Sequence, residues 1–150
     1  MSDFHILDCG LGSELKRTGF DLPDWINNIW SAQALIDEPE LILEIHKESI
    51  KAGSNVITTS NYYATPLILK QKDSSLDFKT LSETALTLAE DAVSSSGKEV
   101  MIAGCFPPIN VSFRPDLTPE NNEVEDFYEA LANIYKDRAD VILCETMASI

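Results

Sequence analysis

Long apolar runs and positive charge are both scarce in this 150-residue chain. No stretch approaches the ~18 apolar residues that a membrane-spanning helix requires. The opening MSDFHILDCG has neither a basic n-region nor a long apolar h-region, so it does not read as a secretory signal. Lys and Arg number 11 against 25 Asp and Glu, and the formal net charge of −14 repels phosphate backbones and anionic headgroups. Nucleic acid and membrane partners are therefore not expected. Cysteine is sparse and odd in number: Cys9, Cys105 and Cys144 without a secretory signal argue against a disulfide framework and for a cytoplasmic protein. The Asn110-Val111-Ser112 match is then a chance sequon.

What is present is the composition of one globular domain, 44% hydrophobic and 24% charged. Two kinds of segment alternate. Short apolar, β-branched runs at Phe4 to Leu7, Asn55 to Thr59, Val100 to Ala103 and Val141 to Cys144 are too continuous in apolarity for half-solvated antiparallel strands. Buried parallel strands fit them better. Between them lie helical patterns. Pro39 at a first helical position leads into Leu41, Ile42, Ile45, Ser49 and Ile50, and Gly53 suits the residue after the helix end. Leu81, Ala85, Leu88, Ala89 and Ala92 mark a second helix that stops before Gly97. A third is expected to open at Thr118-Pro119, with Val124, Phe127, Leu131 and Ile134 on one stripe.

The order βαβαβαβ predicts a parallel sheet, either an open doubly wound sheet or part of a (βα)8 barrel. The turn after the first run, Cys9-Gly10-Leu11-Gly12-Ser13-Glu14, lacks the third glycine of a dinucleotide fingerprint, and Glu14 would repel phosphate. A long excursion over residues 19 to 38, with Pro23, Trp25 and Trp30, resembles the βα loops from which barrels build active sites. Each apolar run ends on polar or reactive groups: Asp8, Thr58 to Tyr63, Cys105 to Pro108, and Glu145-Thr146. On a barrel these converge on one rim, with Asp8 and Glu145 across a pocket where they can grip an ammonium group. The competing reading makes each carboxylate a helix cap or a solvated loop residue. No lysine stands at a strand end, which counts against a Schiff-base enzyme. His5 in the first run and His46 beside Ile45 read as structural or surface residues.

The segments LDCGLGSELKRTG, NIWSAQAL, EPELILEIHKESIKAGSNVITTSNYYAT and ADVILCETMASI, in that order and spacing, resemble the homocysteine S-methyltransferase family, which includes betaine-homocysteine methyltransferase and the homocysteine module of methionine synthase. The resemblance spans essentially the whole chain. It implies a (βα)8 TIM barrel of which this chain supplies roughly the first four βα units. Residues 1–150 would then be the N-terminal half of one homocysteine-binding domain, with no second domain. The chain stops five residues past Glu145, where a helix is expected to follow, in keeping with that reading.

The resemblance further implies that Asp8 and Glu145 hold the homocysteine amino group and that Gly10 lies against the substrate, with Cys9 replacing the glycine before it. Thr59, Tyr62 and Tyr63 fall near the substrate sulfur and the methyl donor, one tyrosine in the pocket and the other packed, and Trp30 is a pocket tryptophan. The implied cofactor is zinc. A free thiol with a pKa of about 8.5 supplies little thiolate at neutral pH, and zinc keeps sulfur deprotonated. The zinc cysteines of the family fall in segments beyond this sequence. Cys9, Cys105 and Cys144 do not match them, and Cys105 and Cys144 read as buried small side chains. Homocysteine and a methyl donor are the implied ligands, and open strand edges predict self-association. Two other readings stay open: a half-barrel binding or interaction module, and an open-sheet domain that binds a small anion at Gly10 to Ser13.

Overall fold

The computed structural model describes residues 4–72 and 75–147. Its elements in chain order are α1 (Leu11–Arg17), a 3-10 turn (Trp30–Gln33), α2 (Ala34–Asp37), α3 (Pro39–Ala52), β1 (Val56–Thr58), α4 (Pro66–Gln71), α5 (Phe78–Ser96), β2 (Met101–Phe106), a second 3-10 turn (Pro115–Leu117), α6 (Asn121–Tyr135) and β3 (Val141–Cys144). The strands form one parallel sheet in the order β1-β2-β3, with Val56 opposite Met101 and Ala103 opposite Val141. Parallel pairing requires a crossover, and α5 and α6 supply the two between these strands.

Local chemistry sets the helix ends. Pro39 opens α3, and Gly53 and Gly97 close α3 and α5 at φ +120° and +64°, a region costly for side chains. Asp77 caps α5 by accepting the Thr80 N–H at 3.1 Å. The third helix starts later than the sequence suggests. Thr118 ends the 3-10 turn, its N–H donating to the Pro115 carbonyl, and the following proline keeps it extended, so Glu120 becomes the cap of α6.

The predicted core stripes are where the helices pack. Ile42, Ile45 and Leu81 meet Leu15, Leu35 and Ile68 in one cluster, while Ile50, Ile57 and Leu86 meet Phe127, Leu131 and Tyr135 in the other. The outer strands depart from expectation. The run Phe4 to Leu7 is not a buried strand: Phe4 is 77% and Ile6 57% exposed, and its sheet pairing is one parallel bridge, Leu7 to Val56. The Ile6 carbonyl accepts the Asn55 and Val56 N–H groups at 3.0 and 3.2 Å, and side chains supply the rest. Asn55 Oδ1 accepts the Ile6 N–H at 2.7 Å, Asn55 Nδ2 donates to the Phe4 carbonyl, and Ser54 Oγ donates to the Leu7 carbonyl. At the other edge Val141 and Ile142 are exposed on β3, as is Cys144, against the expectation of a buried thiol. At both edges apolar residues therefore stay in solvent.

Gly104, central in β2, is fixed by a close approach. A Cβ built on it would lie 2.7 Å from the Tyr135 ring. Arg138 bridges α5 to the turn before β3 through Glu90 and Glu83 at 2.6–2.9 Å, on partly exposed side chains. Gly104→Ala should therefore lower unfolding stability by about 1–3 kcal/mol, as overpacking does. Arg138→Ala should cost under about 1 kcal/mol, as half-solvated pairs do. Urea titrations of both variants check the order, and a larger loss for Arg138→Ala would contradict it.

Candidate functional site

Parallel strands send their C-terminal ends to one side of the sheet, and there the chain encloses a cavity of about 760 Å³. All seven residues singled out from the sequence, Asp8, Gly10, Trp30, Thr59, Tyr62, Tyr63 and Glu145, line it. Lys16, His46 and Gly12 line it as well.

Asp8 stands at the end of the first run, pinned to β1. Its Oδ2 accepts the Thr58 N–H and its Oδ1 accepts the Thr58 hydroxyl, both at 3.0 Å. It is not a helix cap: the N-cap of α1 is Gly10, and no side chain caps that end. Burial raises the Asp8 pKa, the Thr58 hydrogen bonds oppose that rise, and the Glu145 charge adds to it. Glu145 lies just past β3, its N–H donating to the Phe106 carbonyl at 3.1 Å. Its Oε2 accepts the Cys105 thiol at 3.3 Å. Burial first, and then Glu145, push the Cys105 pKa well up, so this sulfur stays protonated.

The aromatic residues form one wall. The Trp30 indole meets Tyr62 and Tyr63 edge to face, with centroids 6.3 and 5.9 Å away, and the two tyrosines stack at 6.2 Å. The sequence led us to expect one tyrosine in the pocket and one packed. Both line the cavity, because Tyr63 is buried against the core with part of its ring still reaching the space, while the Tyr62 hydroxyl bonds Ser112. Trp30 has φ +45°, a strained value for a large side chain. Its ring lies over Gly12, where a Cβ would come within 2.5 Å of Cζ2. The demanding glycine of this turn is thus Gly12. Gly10 has φ −65°, and Cys9 has no positive φ, so the cysteine fits its place without strain and reaches the Ser49 hydroxyl at 3.6 Å. Thr59 has its hydroxyl committed elsewhere: it donates to Asn61 Oδ1 at 2.8 Å, accepts the Cys105 N–H at 2.9 Å and lies 3.1 Å from the Tyr135 hydroxyl.

His46 was read as a structural or surface residue, and its place at the cavity was missed. It shares the buried face of α3 with Ile42 and Ser49, a spacing that could have flagged it. Burial pushes its pKa down to about 4, so it is neutral at neutral pH.

The cysteines do not make a metal centre. Cys9 and Cys144 are exposed and Cys105 is buried, and among the described residues no three His, Cys, Asp or Glu side chains are grouped to hold a metal ion. An anion at the Gly10 to Ser13 turn would face Glu14 in the first helical turn and two carboxylates in the cavity.

Among proteins of known family, residues 5–150 match the family model described as homocysteine S-methyltransferase. Homocysteine S-methyltransferase 3 of Zea mays is 40% identical over 82 residues, which is 55% of this chain and 22% of that protein. Homocysteine S-methyltransferase of Escherichia coli (strain K12) is 27% identical over 97% of this chain and 50% of its own length. The chain thus spans about half the length of the bacterial relatives that it matches almost end to end. Among solved structures, the homocysteine methyltransferase MmuM from Escherichia coli in its metallated form superposes with a TM-score of 0.81 at 28% identity, covering 97% of this chain and 55% of that one. Its oxidised form gives 0.79. The chain belongs to the homocysteine S-methyltransferase family.

Proposed function

We propose that this chain is the N-terminal, amino-acid-gripping half of a (βα)8 homocysteine S-methyltransferase, which methylates homocysteine to methionine in the cytoplasm. The observation that carries the reading is the meeting of Asp8 and Glu145, 137 residues apart in sequence, on one cavity of a chain in this family. Two carboxylates beside an apolar aromatic wall suit a ligand with an ammonium at one end and an uncharged thioether-forming chain at the other.

Asp8 is the group on which the ammonium is held. Its carboxylate is already oriented by both Thr58 bonds, so little ordering remains when a ligand arrives. Glu145 adds a second negative charge. Burial is the main cause of the raised Asp8 pKa, with a smaller contribution from the Glu145 charge, and a bound ammonium offsets both. Trp30, Tyr62 and Tyr63 wall the side where sulfur and methyl donor meet and keep water out, and Gly10 lets the backbone lie against the ligand. The reading assigns zinc, which would keep the homocysteine sulfur deprotonated, to the part of the family length that this chain does not span. The residues here do not fit it. The exposed edges at Phe4 to Leu7 and β3 are where the remaining βα units would pair, and they favour self-association of the chain alone.

In the whole protein, Asp8→Asn and Glu145→Gln should each weaken homocysteine binding by roughly tenfold to a hundredfold, the value of a hydrogen bond to a charged group, with bound metal unchanged. Calorimetric titration and metal analysis test this, and parallel losses of ligand and metal would indicate unfolding instead. Because the Asp8 pKa is raised, the affinity should begin to fall on acidification at a pH above the ordinary carboxylate range, and Asp8→Asn should flatten that fall. The 150-residue chain by itself should form no methionine from homocysteine. Measurable turnover by the purified chain would refute the division of labour between the two halves.

A further inference from the structure

The amino-group reading gives His46 no task. Its side chain is 2% exposed yet lines the cavity, and one ring nitrogen, Nε2, lies 3.1 Å from the Ser60 hydroxyl. The other nitrogen, Nδ1, has no hydrogen-bond partner and faces Asp8 Oδ2 at 3.8 Å. A buried polar atom left in this state costs roughly 1–3 kcal/mol, so its persistence beside a ligand cavity calls for a second state in which it is satisfied.

A neutral imidazole carries one N–H, and the surroundings decide which nitrogen holds it. If Nε2 were the donor, the lone pair of Nδ1 would face a carboxylate oxygen, acceptor against acceptor. If the Ser60 hydroxyl donates to Nε2, then Nδ1–H points at Asp8 Oδ2, donor against acceptor. Electrostatics favour the second arrangement. Each Asp8 oxygen already accepts one bond from Thr58, and each keeps another lone-pair site.

We propose that His46 is a positioning residue for Asp8: its Nδ1–H closes onto Oδ2 when the carboxylate is ionised, leaving Oδ1 as the oxygen presented to an ammonium group. The ammonium part rests on the proposed amino-acid binding, whereas the His46–Asp8 contact does not. Closing from 3.8 Å to an ordinary hydrogen-bond length needs a movement of under about 1 Å. The other ionisable groups around Asp8 are Glu145 after β3, the Cys105 thiol of β2, the neighbouring Cys9, and Lys16 of α1 on the same cavity. His46 supports the carboxylate there without adding a charge that would compete with the ligand.

Three variants of the whole protein separate the contacts. His46→Asn keeps an amide N–H near the Nδ1 position, His46→Gln places one near Nε2, and His46→Leu keeps neither. In the ligand-free protein, carbon NMR should show the Asp8 titration midpoint moving up by about one pH unit in His46→Gln and His46→Leu and staying near the parent value in His46→Asn. Homocysteine affinity should fall about tenfold in the same two variants and recover in His46→Asn. An unmoved Asp8 midpoint in both would overturn the proposal, whatever happens to binding. A moved midpoint in a protein that fails to bind homocysteine would uphold the contact and sink the amino-acid reading. Nitrogen NMR of the parent protein tests the same point without any substitution. A proton on Nδ1 is expected, and a proton on Nε2 defeats the proposal.

Discussion

Parallel pairing is the constraint on which the site rests. Because β1, β2 and β3 run the same way, with Leu7 bridged alongside Val56 in the same sense, the residues that follow each strand emerge on one side. Asp8, Thr58 to Ser60, Cys105 and Glu145 are brought together by that one geometric fact, although 137 residues separate the first from the last. The two tight glycine contacts serve the same arrangement. Gly104 admits Tyr135 against the middle strand, and Gly12 admits Trp30 against the first helix, so the wall of the cavity stands where the strands open.

The electrostatics of the cavity are unfavourable without a ligand. Asp8 is partly buried, near a second carboxylate, and its pKa lies above the ordinary 3.8. A carboxyl with a raised folded-state pKa contributes stability while it is protonated, below the ordinary unfolded value, and that contribution is lost as pH rises through the raised value. At neutral pH the fold therefore carries an ionised carboxylate at a cost. A cation is the natural complement, and the histidine beside Asp8 does not supply one: His46 is held neutral by burial. The Cys105 thiol stays protonated and donates to Glu145, a weak bond that orients the carboxylate without neutralising it.

How much of this was legible in the sequence depends on the range of the interaction. Pro39, Gly53 and Gly97 marked helix ends because φ preference is a property of one residue, and the stripes of α3, α5 and α6 were visible because burial imposes a 3.6-residue period. The start of α6 was misplaced, since Thr118-Pro119 looks like a cap until the 3-10 turn before it is known. The burial of the first run and of β3 was also misjudged. Apolarity shows that a strand seeks cover, but whether cover is present at a sheet edge depends on other elements.

The sequence by itself determined the alternation of strands and helices, the polar tips, and through its linked motifs the family, because each of these is written in local residue order. Only the tertiary structure decided the environments. Asp8 became a carboxylate bound to Thr58 across two strands, Tyr62 and Tyr63 came to share one wall with Trp30, and a histidine that looked inert arrived 3.8 Å from Asp8. Desolvation, tautomer choice and ring packing depend on what surrounds an atom in three dimensions, and a one-dimensional pattern carries no record of it.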